Sequence, residues 1–320
     1  MKWLRFLLDR TAVLFLGVAA GVAIGYAFGT GNETKQAVGL APEAAPVVAS
    51  REIAPPPPTG AASHVAPSPG GTTAAPATGA EPIAGPLPAD PPSAQLLQTV
   101  RNGDPIHVGI FGDSFGDGVW SGLYRLLPAK AGYRVEKYSQ ASTGFTRYRR
   151  LDLESHDDAQ IDGKPLDIAV IAFGANDAQG VCDGGHCGTL MGSFWQEVIG
   201  RRVESYVAML RRHGAVVYWV GLPVMRDAAF DADARAMDEF YRGLMQRLNV
   251  PYIDIRPLTV DGQGRYQAYY ADQDGSPKLL RAGDGIHMSM NGYIHVTKGL
   301  AARIAASVAA ARSPSDAEPS

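Results

Sequence analysis

From Ile106 onward, short apolar runs alternate with longer stretches in which apolar residues recur every three or four positions. The first pattern predicts strands and the second amphipathic helices, and their alternation predicts a parallel sheet covered by helices. The predicted strands are Ile106 to Phe111, Tyr133 to Tyr138, Ile168 to Phe173, Val216 to Val220 and Tyr252 to Ile255. Several are continuous apolar runs, as expected for strands buried on both faces. Helices are predicted over Gly118 to Ala131, Phe194 to His213, Ala232 to Leu248 and Asn291 to Ala311. The expected architecture is a three-layer α/β/α sandwich around a five-stranded parallel sheet. Ligands of such sheets sit beyond the carboxyl ends of the strands. One segment departs from the alternation. Thr259 to Arg281 sets Gly262, Gly264 and Gly275 around Tyr266-Gln267-Ala268-Tyr269-Tyr270, and predicts an inserted β-hairpin near the site.

Upstream the pattern disappears. Between Leu40 and Ala94, Ala, Pro, Gly, Ser and Thr dominate, and 14 of the 23 prolines fall there. So little large apolar surface cannot offset the entropy of ordering, which predicts a disordered tether. Ahead of it, Lys2, Arg5 and Arg10 precede an uncharged stretch from Thr11 to Phe28. Those 18 residues would span about 27 Å as a helix, close to a hydrocarbon core. A cleaved signal peptide shares this layout, but its apolar core is shorter and its cleavage site better than any here. The expectation is therefore an anchor over residues 11 to 28, with the basic end in the cytoplasm and the rest outside it. The division expected is an anchor or signal over 1 to 30, a linker over 31 to 92, a folded domain over 93 to 312 and a loose tail over 313 to 320.

The formal net charge of −3 gives no support to a nucleic-acid partner. The pairs Arg149-Arg150 and Arg211-Arg212 read as solvated surface. The only two cysteines, Cys182 and Cys187, bracket Asp183-Gly184-Gly185-His186. Outside the cytoplasm such a close pair most simply forms a disulfide. Structural zinc would want more ligands than this pair and His186 provide, so no metal is expected.

Candidate chemistry lies at the strand ends. Gly112-Asp113-Ser114-Phe115-Gly116-Asp117-Gly118 follows the first strand. Serine needs a base to take its proton and donors for the oxyanion it creates. Ser142-Thr143-Gly144-Phe145-Thr146 follows the second strand, where Gly144 can present a backbone N–H. Gly174-Ala175-Asn176-Asp177 follows the third, where the Asn176 amide can donate. Each alone reads as an ordinary turn. The decisive block is Asp284-Gly285-Ile286-His287, because a carboxylate three residues before an imidazole can orient one ring nitrogen while the other faces the serine. Among seven histidines only His287 has this arrangement; His156, beside Asp157 and Asp158 in an expected loop, imitates it away from any strand end.

In order and spacing these four blocks resemble the SGNH (GDSL-like) hydrolase superfamily, over about His107 to Ala309. The tract Leu280-Arg281-Ala282-Gly283 and Gly221-Leu222-Pro223 look like a bacterial, membrane-tethered subgroup of it whose substrate is not established. The resemblance implies a flavodoxin-like fold and a cofactor-free hydrolase. Ser114 would be the nucleophile, His287 the base, Asp284 its orienting group, and Ser114, Gly144 and Asn176 the oxyanion donors. This chain has Met288 where many members have Pro, and Phe115 and Phe145 at positions commonly filled by other residues. Phe115, Trp120 and Phe145 are expected to shape a small acyl pocket. Tyr266, Tyr269 and Tyr270 could stack on sugar rings.

The function expected is removal of acetyl or small acyl groups from an envelope glycan or lipid in the periplasm, at the inner membrane. The alternatives are an O-acyltransferase using the same triad on envelope polysaccharide, or an inactive envelope-binding module.

Overall fold

The computed structural model describes residues 90–313. The anchor expected over 11 to 28, and most of the linker, lie outside the described residues. Five strands form one parallel sheet: β1 (Ile106–Gly112), β2 (Tyr133–Lys137), β3 (Ile168–Ala172), β6 (Val216–Val220) and β7 (Tyr252–Ile253), in the order β2-β1-β3-β6-β7. Every residue of β3 is buried, which is why its sequence is an unbroken apolar run. Each expected strand is present, with ends within two residues of expectation.

One face of the sheet carries α1 (Ala94–Asn102), α2 (Ser114–Leu126) and α6 (Met290–Arg312), with both α1 and α2 packed against α6. The closeness of α2 and α6 depends on glycine: a Cβ at Gly118 would stand 1.9 Å from the Tyr293 ring. The opposite face carries α3 (Leu153–Ile161), α4 (Ser193–Arg212) and α5 (Ala228–Arg247), where Trp195 meets Phe240 edge to face. Two hairpins complete the domain, β4 (Val181–Asp183) with β5 (His186–Gly188), and β8 (Tyr269–Ala271) with β9 (Pro277–Leu279). The second lies within the segment expected to form an inserted hairpin.

Three local corrections follow. Helix α1 is additional to the expected set; Ser93 caps it by accepting from the Leu96 N–H. Asp90, placed by composition in the linker, is bridged to Arg303 on α6. His156 lies on α3, not in a loop, and contacts Asp157 at 2.8 Å; the Asp157 carboxylate also accepts from the Tyr206 hydroxyl.

The order of the strands explains where a site can form. From β1 the chain moves outward to β2, then returns past β1 to β3, so the connections leaving β1 and β3 run to opposite faces. The crevice between their carboxyl ends is the switch point of such a sheet. Ser114 follows β1 by two residues and Asn176 follows β3 by four.

Candidate active site

Helix α2 begins at Ser114, four residues earlier than the glycine-rich sequence suggests. Asp113 is its cap, accepting from the Phe115 N–H at 2.8 Å. As the first helical residue, Ser114 has no intrahelical acceptor for its own N–H, and none is present among the described residues. The aligned peptide dipoles of α2 add positive potential at this point.

Ser114 Oγ lies 2.7 Å from His287 Nε2, and His287 Nδ1 lies 2.6 Å from Asp284 Oδ2. The neutral tautomer with its proton on Nδ1 satisfies both contacts: Nδ1–H donates to Asp284, and Nε2 accepts from the serine hydroxyl. The other Asp284 oxygen accepts from the N–H groups of Ile286 and His287, each at 2.9 Å. Gly285 makes this turn possible by taking φ 76°. Burial pushes the Asp284 carboxyl up, but the His287 ring and the two N–H donors outweigh it and hold the group down at about 2. It therefore stays ionised across the neutral range. The imidazole remains reachable, since the His287 side chain is 35 % exposed.

Two residues fix this turn from behind. Phe115, expected in the substrate pocket, is buried and stacks on the His287 ring at a centroid distance of 5.4 Å. It supports the imidazole instead of lining a cavity. Arg281 is also buried and has no carboxylate within ion-pair distance among the described residues. Its guanidinium donates to the carbonyls of Ile286 (2.7 Å), Gly285 (3.3 Å) and Val224, and lies over the Tyr266 ring. It fastens the Asp284–His287 turn to the loop after β6. An arginine without an acidic partner in the sequence gives no hint of this.

At the end of β2, Gly144 is fixed by an acid. Buried Asp177 accepts from the Phe145 N–H at 3.0 Å and from the N–H and hydroxyl of Thr146 at 2.8 and 2.7 Å. A Cβ at Gly144 would stand 2.5 Å from Asp177 Oδ1, so the turn excludes every larger residue. The Gly144 N–H has no acceptor among the described residues. Asn176 ties the two loops together, donating to Asp113 Oδ2 at 3.1 Å and to the Thr143 carbonyl at 2.9 Å. Both protons of its amide are thus engaged, and the two unengaged donors are the N–H groups of Ser114 and Gly144.

Asp113 and Asp177, both fully buried, were hidden in turns whose composition reads as solvent-exposed. Burial first, and the nearby Asp177 charge second, push the Asp113 carboxyl up to about 7. Burial raises Asp177 as well, against the hydrogen bonds from Thr146 and Phe145.

The expected acyl-pocket residues need correction. Phe145 is fully buried and packs edge to face against Phe173 and Tyr206, because Asp177 draws its backbone inward. Trp120 points toward β2, where its indole N–H donates to the Val135 carbonyl. Of the three tyrosines, Tyr266 lies under Arg281 and Tyr270 against His295, whereas Tyr269 is 58 % exposed. Cys182 and Cys187 form a disulfide, directly opposite each other in the β4–β5 hairpin. Asp183 of that hairpin pairs with Arg201 and Arg202 on α4. His186 is exposed. Among the described residues no cluster of three or more His, Cys, Asp and Glu residues is placed to hold a metal ion.

A doubly wound sheet with these four blocks at its switch point is the arrangement that the resemblance to SGNH hydrolases implies. The chain belongs to the family described as protein of unknown function DUF459, whose model matches residues 107–303. No curated protein matches the chain. Three solved structures are similar to it. A carbohydrate acetylesterase from Sinorhizobium meliloti shares 17 % identity, covering 63 % of this chain and 99 % of that one, with a TM-score of 0.42. The periplasmic domain of a lipopolysaccharide acetyltransferase from Salmonella ser. Paratyphi A shares 9 %, covering 66 % and 88 %, with a TM-score of 0.47. An aryl esterase from M. smegmatis shares 14 %, covering 62 % and 98 %, with a TM-score of 0.43.

Proposed function

We propose that this protein is a serine esterase that removes acetyl or other small acyl groups from an envelope glycan or lipid. The observation that carries this reading is the unbroken hydrogen-bond chain from Ser114 through His287 to Asp284, beginning at the first residue of a helix. Ser114 Oγ attacks the ester carbonyl while its proton passes to His287 Nε2. Asp284, ionised throughout, steadies the imidazolium that forms. The N–H groups of Ser114 and Gly144 receive the oxyanion, in the positive potential at the start of α2. Asn176 joins them by exchanging its bond to the Thr143 carbonyl for one to the oxyanion. His287 then protonates the departing alcohol, and water repeats the cycle on the acyl-enzyme.

The location proposed is the periplasm, with residues 11–28 anchoring the domain to the inner membrane. The Cys182–Cys187 disulfide favours an oxidising compartment. The test is acetate release from p-nitrophenyl acetate by the 320-residue chain and by its Ser114→Ala variant, alone and with a glycan acceptor present. Ser114-dependent hydrolysis supports the esterase. Transfer of acetyl to the acceptor in preference to water would replace it with an O-acyltransferase, and the absence of Ser114-dependent release would leave only a binding module.

A further inference from the structure

The loop after β2 encloses a cavity of about 120 Å³ whose border includes Gln140, Ser142, Gly144, Arg147, Arg150 and Leu151. Gly144 belongs both to this cavity and to the proposed oxyanion donors, so the cavity meets the candidate site at Gly144, although Ser114, Asn176 and His287 do not border it. Its shape is held from within. Arg147 donates to the Ser142 carbonyl at 2.9 Å, Thr143 donates to the Gln140 carbonyl at 2.6 Å, and Ser142 takes φ 64°.

The charge of this cavity is one-sided. Its only charged border residues are Arg147 and Arg150, and no Asp or Glu lines it. Neither arginine has a carboxylate within 4.0 Å among the described residues, whereas Arg201, Arg202, Arg242, Arg256, Arg265 and Arg303 each do. Arg150 is exposed, as the sequence pattern expects, and borders the same cavity as Gly144. Guanidinium groups match carboxylate and phosphate oxygens with two parallel N–H donors, a recognition that a neutral hydroxyl cannot reproduce. The volume suits one such group, not a whole sugar ring, since a water occupies about 30 Å³ in the liquid.

We infer that the substrate is an ester whose alcohol half carries an anionic group, a carboxylate or a phosphate, close to the acylated hydroxyl, and that Arg147 and Arg150 hold it. This deepens the esterase reading and rests on it. An acylated uronic acid and an acylated sugar phosphate are the two forms the chemistry admits.

The 320-residue chain should be assayed at low ionic strength on three acetyl esters: methyl glucoside, methyl glucuronoside and glucose 6-phosphate, each normalised to p-nitrophenyl acetate. The inference expects kcat/KM for a charged ester to exceed that of the neutral one by about tenfold, the scale of one or two charge-assisted hydrogen bonds. Which charged ester leads identifies the anion. The preference should shrink with added salt, collapse in Arg147→Gln/Arg150→Gln and return in part in Arg147→Lys/Arg150→Lys. Equal rates on all three esters, or a charged preference that survives the glutamine pair, would overturn it. A binding arm separates this inference from the esterase reading. Ser114→Ala protein should be titrated calorimetrically with glucuronate and with glucose 6-phosphate. Binding that disappears with the glutamine pair supports the anion site even if no ester is cleaved, and no binding together with no charged preference refutes it.

Discussion

At the amino edge of the sheet, buried Asp167 accepts from the Thr99 hydroxyl at 2.5 Å and from the His107 N–H at 2.8 Å, joining α1 to β1 and β3. Asp90 and Arg303 close on each other there, and Arg211 donates to the carbonyls of Leu248 and Asn249. At the carboxyl edge the N–H groups of Ser114 and Gly144 have no acceptor among the described residues, Arg147 reaches only the Ser142 carbonyl, and Asp113 and Asp177 are buried together. The amino edge holds a cavity of about 470 Å³, whereas the one beside Gly144 is about 120 Å³. The site proposed for catalysis is thus not marked by volume; what sets it apart is donors left open at a strand end, where the amino edge has polar groups that complete one another.

Substitution at the two edges should separate activity from stability, and this is the largest effect expected. Ser114→Ala or His287→Ala should lower kcat on p-nitrophenyl acetate by roughly 10³-fold or more with little change in melting temperature. Asp167→Ala leaves two buried donors without their acceptor and should cost about 1–3 kcal/mol, while the folded fraction keeps its specific activity. Steady-state kinetics combined with urea unfolding reads both. Loss of both properties together at each edge would erase the distinction.

A substitution that touches both properties comes next. Gly144→Ala drives a methyl toward Asp177 Oδ1, 2.5 Å away, and must shift the turn that presents the Gly144 N–H. A fall in kcat of about 10²-fold is expected, on the scale of losing one oxyanion donor, with about 1–3 kcal/mol of destabilisation from overpacking. Unchanged kcat would show that Gly144 is only a spacer.

Proton linkage sharpens the comparison within the carboxyl edge. Asp113 is raised from 3.8 to about 7, so the folded state holds a proton that the unfolded chain has released. Its contribution is full below pH 4 and declines as pH rises to about 7, by on the order of a few kcal/mol. Asp284 runs the other way: lowered from 3.8 to about 2, its stabilisation is present above pH 4 and fades as pH falls toward 2. Asp113→Asn resembles the neutral acid, so it should gain on the wild type between pH 4 and 7 in urea titrations. Asp284→Asn should differ most from the wild type above pH 4 and converge on it in acid. Parallel pH curves for wild type and Asp113→Asn would refute the buried, raised carboxyl. The smallest effect belongs to the β4–β5 hairpin. The Cys182–Cys187 bridge closes so short a loop that reducing it should cost at most about 2 kcal/mol, seen as a modest shift in melting temperature.

The proposed site was the more legible part of the sequence. Asp284 and His287 are local in the chain, so their spacing alone suggests the pairing, and the buried runs of β1, β3 and β6 mark the strands that carry the loops. Helix α3 escaped because its buried positions are Leu153, Asp157 and Ile161, and the acid in the middle breaks the apolar stripe. The start of α2 escaped because Gly112, Gly116 and Gly118 discourage a helix, although Asp113 is a capping residue. Burial of Asp113 and Asp177 and the inward turn of Phe145 depend on contacts between separate strand ends. No single stretch of sequence contains them.

The most direct measurement is labelling of the chain with a fluorophosphonate, which phosphonylates only an activated serine, followed by peptide mapping by mass spectrometry. A single adduct on Ser114 is expected, absent from Ser114→Ala and strongly slowed in His287→Ala. An adduct on another serine, or labelling of Ser114 that does not depend on His287, would contradict the triad.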